Sequence, residues 1–149
     1  MTVQSLTRRV VLVIPIRIAL GIAWLVGAAL SGSGATRAGI GFAVGLLGGT
    51  VSALADPRVR FLGGPADPLP LPDGTRLDTT LRHAWSAMLP STVGVSALAA
   101  IVVAKQPVLA ALLGGVSAGL GVAALISLPA ILQRGERFLD REGTVYVRP

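Results

Sequence analysis

Three residues of this chain have side chains and positions that could do chemistry: Arg17, Asp56 and His83. Arg17 stands inside an apolar run, residues 10–30, where a charge is costly and marks a functional position by default; a guanidinium there suits an anion or a lipid phosphate. Its depth favours a plainer role. Seven residues past Val10 is about 10 Å of helix rise, within reach of the headgroups for a long arginine that folds back along its helix. His83 is the sole histidine and follows Arg82 at the start of another apolar run. A haem needs axial ligands, which one histidine per chain supplies only through symmetry or a partner, and a place at a membrane surface near Trp85 accounts for it more simply. Asp56, Arg58, Arg60 and His83 could gather into a charged mouth, yet Asp56-Pro57 also reads as a solvated helix stop.

Other chemistries fare worse. Ser31, Ser52, Ser86, Ser91, Ser96, Ser117 and Ser127 lie in or beside apolar runs with no base suitably placed, so hydrogen bonds to backbone or to a neighbouring helix are their expected use. The absence of cysteine removes disulfides, thiolate metal sites and cysteine nucleophiles from this chain. Apart from Arg17 the apolar runs contain no Asp, Glu, Lys, Arg or buried His, and a proton-coupled exporter keeps such a group at mid-membrane. The expectation is a protein without enzymatic activity, cofactor or metal.

The elements that must position these residues are membrane spans. The chain is 52% hydrophobic and 13% charged, with mean hydropathy +0.74, against about 25% charged in ordinary soluble domains. Its net charge of +6 comes from twelve arginines and one lysine set against seven acids. They form no long basic run and none is interleaved with aromatics, which disfavours nucleic acid as a partner. Four spans are expected, at 10–30, 38–55, 83–104 and 108–132. A charged start and a small-residue end make the first resemble a secretory signal, and a retained anchor is the expectation. Trp24 suits an interfacial aromatic. The connection 56–82 contains five of the ten prolines; Pro68 to Pro72 favours an extended path, and Pro72-Asp73-Gly74 a turn. In the polar tail, 133–149, residues 143–147 have strand-like composition but no evident partner.

Lys and Arg beside the spans give the orientation. Arg8, Arg9, Arg58, Arg60, Arg76, Arg82, Arg134, Arg137, Arg141 and Arg148 fall on one side, and Arg37 and Lys105 on the other. Both termini are thus expected in the cytoplasm, with the protein in the plasma or inner membrane.

Within the second span Gly41, Gly45, Gly49 and Ala53 recur every fourth residue, which puts them on one helix face where another backbone can lie close. The fourth span has a matching face, Ala111, Gly115, Gly119 and Ala123. Leu46-Leu47-Gly48-Gly49 returns as Leu112-Leu113-Gly114-Gly115, Arg60-Phe61-Leu62 as Arg137-Phe138-Leu139, and Pro15 has a counterpart in Pro90. These echoes point to a possible tandem two-helix repeat. The fold class expected is an all-α integral membrane protein, a four-helix antiparallel bundle with small-residue packing faces. Its expected role is an accessory or scaffolding component that meets the lipid bilayer and a membrane-protein partner or further copies of itself. The alternative is an oligomeric channel or small transporter lined by the faces of spans two and four. The topology predicts that cysteines introduced singly at Thr36 and Thr75 react with an impermeant thiol reagent from opposite sides of the membrane; labelling from the same side would overturn it.

Overall fold

The computed structural model describes residues 1–55, 69–78, 89–133, 137–139 and 145–147. A strand, β1 (Thr2–Ser5), leads directly into helix α1 (Leu6–Ala28). The change of structure occurs at Ser5, whose Oγ accepts from the Arg8 backbone N–H at 3.4 Å and caps the helix start. Pro15 lies inside α1 and withholds the donor that the Val11 carbonyl would otherwise receive. The helix runs out in a wide turn, Ala29–Ser33, where Gly32 takes φ 97° and Gly34 φ 75°, conformations that glycine adopts without strain. Ser31 Oγ donates to the Gly27 carbonyl at 2.7 Å and Ser33 Oγ to that of Ala28 at 2.8 Å, so the turn satisfies carbonyls at the helix end.

Helix α2 (Ala35–Ala55) follows at once. After the connection come a wide π-type turn, Leu89–Val93, a short helix α3 (Gly94–Val102), and α4 (Pro107–Gln133). Pro107 occupies the first position of α4, where a missing N–H costs nothing. The segments Leu6–Ser33, Ala35–Ala55 and Pro107–Gln133 are each long and apolar enough to cross a membrane; Ser91–Val102 is a shorter apolar helix.

Helix α4 is the hub, packing against α1, α2 and α3, while α1 and α2 touch each other little. Helices α2 and α4 run parallel: Gly41, Gly45 and Gly49 lie in turn against the carbonyls of Val108, Leu112 and Val116. A Cβ on Gly41 would sit 2.9 Å from the Val108 oxygen, one on Gly49 2.6 Å from that of Val116, and Gly45 has still less room against Leu112. The contact is reciprocal, with Gly115 against the Phe42 carbonyl and Gly119 against that of Leu46. Helix α1 runs antiparallel along the other side of α4. A Cβ on Gly21 would lie 2.6 Å from the Gly114 oxygen, and Gly121 stands over Ile14, Arg17 and Ile18. The interior is therefore made of small residues, Ala28, Ala38, Ala99, Ala110, Ala111 and Ala118 among them, whereas Leu30, Ile40, Leu47, Val51 and Ile101 are exposed. Small inside and large outside is the arrangement in which backbones approach closely and lipid covers the rest.

The described residues also hold a five-stranded sheet, in the order β2-β5-β4-β1-β3, with β2 Leu69–Pro70, β3 Arg76–Asp78, β4 Arg137–Leu139 and β5 Val145–Val147. Strand β1 pairs parallel with β3, Val3 opposite Leu77, and antiparallel with β4. Strand β5 pairs antiparallel with β4 and parallel with β2, Tyr146 opposite Leu69. Ahead of β3 the turn expected at Pro72-Asp73-Gly74 is present. Thr75 donates from its N–H and its Oγ1 to the Pro72 carbonyl, at 3.3 and 2.6 Å, and Gly74 has φ 77°.

The sheet corrects the all-α expectation, and it gives the tail segment 143–147 the partners that composition did not reveal. Span boundaries shift as well. The first helix begins at Leu6 instead of Val10 and the second at Ala35, because the small and polar residues there continue the helix once capped. Of the third expected span, the described part is helical only as far as Val102; residues 83–88 lie outside the described set. The packing predicts that Gly45→Leu and Gly49→Leu each lower stability by about 3 kcal/mol, the upper range for overpacking. Gly48→Leu, whose Cβ would meet nothing within 4 Å, should shift it by no more than about 1 kcal/mol. Unfolding in detergent followed by circular dichroism measures both.

Candidate functional site

The charged residue expected to fold back along its helix, Arg17, reaches a neighbouring segment of the chain. Arg17, half-buried in α1, donates from Nη2 to Ser91 Oγ at 3.0 Å and from Nε to Thr92 Oγ1 at 3.4 Å. Its own carbonyl accepts from Ser117 Oγ of α4, also at 3.4 Å. Thr92 and Ser117 are buried. The site therefore joins α1, the turn ahead of α3, and α4.

Local sequence explains the convergence. Gly121 presents no side chain where α4 crosses α1, and a Cβ there would meet Ile18 Cγ1 at 3.0 Å and Arg17 Cβ at 3.3 Å. The stem of Arg17 can thus lie against α4 while its head passes towards the third apolar segment. The wide turn Leu89–Val93 contains Pro90, which cannot donate to the helix ladder, and the same turn carries the two hydroxyls that meet the guanidinium. Hydroxyls solvate a cation without cancelling its charge, and no described carboxylate faces Arg17. Arg9 lies two turns earlier on the same helix and is half-buried.

Of the other singled-out residues, Asp56 and His83 lie outside the described residues, as do Arg58 and Arg60. Gly41, Gly45, Gly49, Gly115 and Gly119 all lie in the contact of α2 with α4. Ala111 is buried with Ala28 and Ala38 where the first hairpin turns. Ala123 is buried and Ala53 half-buried. Of the seven singled-out serines, Ser31 and Ser127 bond carbonyls one turn back and Ser117 bonds across helices, as expected, and Ser91 accepts from Arg17 of α1. Thr50, which was not singled out, does both, donating to the Leu46 carbonyl at 2.7 Å and to that of Gly119 at 3.2 Å.

Trp24 packs on α4. Its Cβ lies where a Cβ on Gly114 would come within 2.7 Å, and its Nε1 is buried without a hydrogen-bond partner among the described residues, as is Ser96 Oγ. Sequence reasoning also missed the second small face of α4, Gly114, Ala118 and Gly121, whose spacing of four and three was a legible signal. Among the described residues no three of His, Cys, Asp and Glu come together as metal ligands. Compared with family profiles, curated proteins and solved structures, the chain matches none.

The Ser117 bond across helices predicts that Ser117→Ala lowers stability by about 0.6 kcal/mol, the average for an interhelical hydroxyl. A change of 2 kcal/mol or more, on the order of a lost buried charge contact, would mean that Ser117 holds more than one backbone oxygen.

Proposed function

We propose that this chain is a non-enzymatic, four-span membrane protein that serves as an accessory or scaffolding component of a membrane assembly. The observation that carries this reading is the mutual burial of the glycine faces of α2 and α4. Backbones in direct contact leave no passage between them, so the surface that would have lined a pore is spent on holding the chain together. What remains open is large and apolar: Val11, Ile22 and Val26 on α1, and Ile40, Val44, Leu47 and Val51 on α2. Such faces suit lipid and the helices of a partner or of another copy.

Topology adds support. The strand before α1, two strands of the connection and two strands of the tail share one sheet, which supports an even number of crossings. Three long apolar helices with the shorter apolar segment ahead of Lys105 make four. By the charge bias, the sheet side is the cytoplasmic one in a plasma or inner membrane. The tandem two-helix repeat draws support from the same pairings. Strand β1, which leads into α1, lies parallel to β3, which precedes the third segment; β2 lies parallel to β5, and α2 parallel to α4. Helix α3 departs from that symmetry, for it packs on α4 and not on α2.

Extraction in a mild detergent tests the role. A monomer that leaves the membrane with a stoichiometric protein partner is the expected result. A defined homo-oligomer that passes solute in liposomes would replace this reading with the channel.

A further inference from the structure

The seam between the two halves holds a positive charge that the described residues leave uncancelled. Arg17 and Thr92 each stand two positions after a proline, Pro15 and Pro90, so residues in equivalent places of the proposed repeat meet one another. In transporters built of repeats, ligands bind at the repeat interface within the membrane. The contact uses Nε and one hydrogen of Nη2; a guanidinium has five N–H groups, so three more are left unused by the described residues. Ser91 and Thr92 accept from it, and each keeps its own O–H. Arg9 is a second cation on the same helix, about 12 Å nearer its start by helix rise. A guanidinium that meets only hydroxyls among the described residues, inside an apolar bundle, suits an anionic ligand.

The chemistry of that anion follows from its surroundings. A planar fork of N–H groups matches an oxyanion in bidentate fashion, and flanking hydroxyls can donate to a further oxygen. Arg9 lies between Arg17 and the sheet end of α1, the end next to the headgroups in the membrane placement proposed above. Phosphate groups are abundant there, and the alternation of cation and hydroxyl suits them.

We infer that Arg17, Ser91 and Thr92 form a site for a phosphate oxyanion, either a lipid headgroup or free phosphate, held at the seam between the two halves of the chain. The inference rests on the proposed membrane placement, which membrane fractionation of the full chain checks independently.

Titrating the purified full chain with phosphatidylglycerol, with phosphatidylcholine as control, and counting bound lipid by native mass spectrometry tests the site. The wild type should take phosphatidylglycerol in preference. Arg17→Gln should weaken that binding about tenfold, as expected for losing a charge-assisted bidentate contact. Arg17→Lys, which keeps the charge and loses the fork, should fall between. Ser91→Ala combined with Thr92→Val, which keeps the whole guanidinium, should weaken it about threefold. Displacement of the lipid by millimolar inorganic phosphate identifies the free anion as ligand, and its persistence identifies the headgroup. Equal binding by wild type and Arg17→Gln would overturn the site. So would an Arg17→Gln protein that keeps its lipid but loses a co-purifying partner, since the guanidinium would then pair with that partner's carboxylate. Should Arg17→Gln fail to fold, the Ser91/Thr92 double variant decides, and wild-type affinity for both lipid and phosphate would overturn the proposal.

Discussion

Backbone lies directly on backbone where α2 meets α4, and the positions of the remaining helices follow from that contact. In lipid, apolar surface gains nothing by leaving its surroundings, so helices associate through close van der Waals contact and polar bonds. Both depend on approach distance. At Gly45, Gly49, Gly115 and Gly119 the hydrogen that replaces Cβ points at a carbonyl of the facing helix, a geometry in which each Cα–H···O contact contributes about 0.5–1 kcal/mol. The contributions work only together, because a single Cβ would separate the backbones along the whole row. Glycine is a poor helix former in water, by roughly 1 kcal/mol relative to alanine. Its density in these two helices makes sense where such contacts offset that loss.

Because α4 must serve two neighbours, it carries two small faces. Gly115 and Gly119 turn to α2, while Gly114, Ala118 and Gly121 turn to α1. The helix is accordingly the most buried of the long ones, and α1 and α2 are held in place through it more than by each other. The sheet does for the chain ends what α4 does for the helices. It fastens the start of α1 to the segment after α4 through β1 and β4, and both to the long connection through β3 and β2. A wide helix–helix layer with weak direct contact between α1 and α2 thereby becomes one closed unit.

The helices and their shared faces were legible because their signals are long and periodic: twenty or so apolar residues, and glycine at every fourth place. The turn at Pro72 to Thr75 was legible because proline and a positive-φ glycine are local requirements. The sheet was not, for physical reasons. Its strands are two to four residues long, too short for an alternating pattern, and β2 includes Pro70, which argues against a strand unless it lies at an edge, where it is found. Apart from the local pairing of β4 with β5, its pairings join residues more than seventy positions apart, a relation that no window of sequence contains. The packing of Trp24 was not legible either, because aromatic enrichment at membrane interfaces is a tendency of position and says nothing of a glycine on the facing helix. That glycine, Gly114, was read only as part of an echo.

Arg17 is the case where sequence and structure separate most. A lone arginine near a span end needs only its own length to reach water, and by that logic its head would have no defined partner. In the structure the head bonds Ser91 and Thr92, on a segment that α1 otherwise barely contacts, although both pack on α4. The side chain thus bridges a junction where the described backbones do not meet. Small residues close the junctions of α4 with α1 and α2 and could have closed this one at less electrostatic cost. A long cation with neutral partners is a poor choice for packing alone, and it becomes a reasonable one if the junction has to remain able to receive an anion.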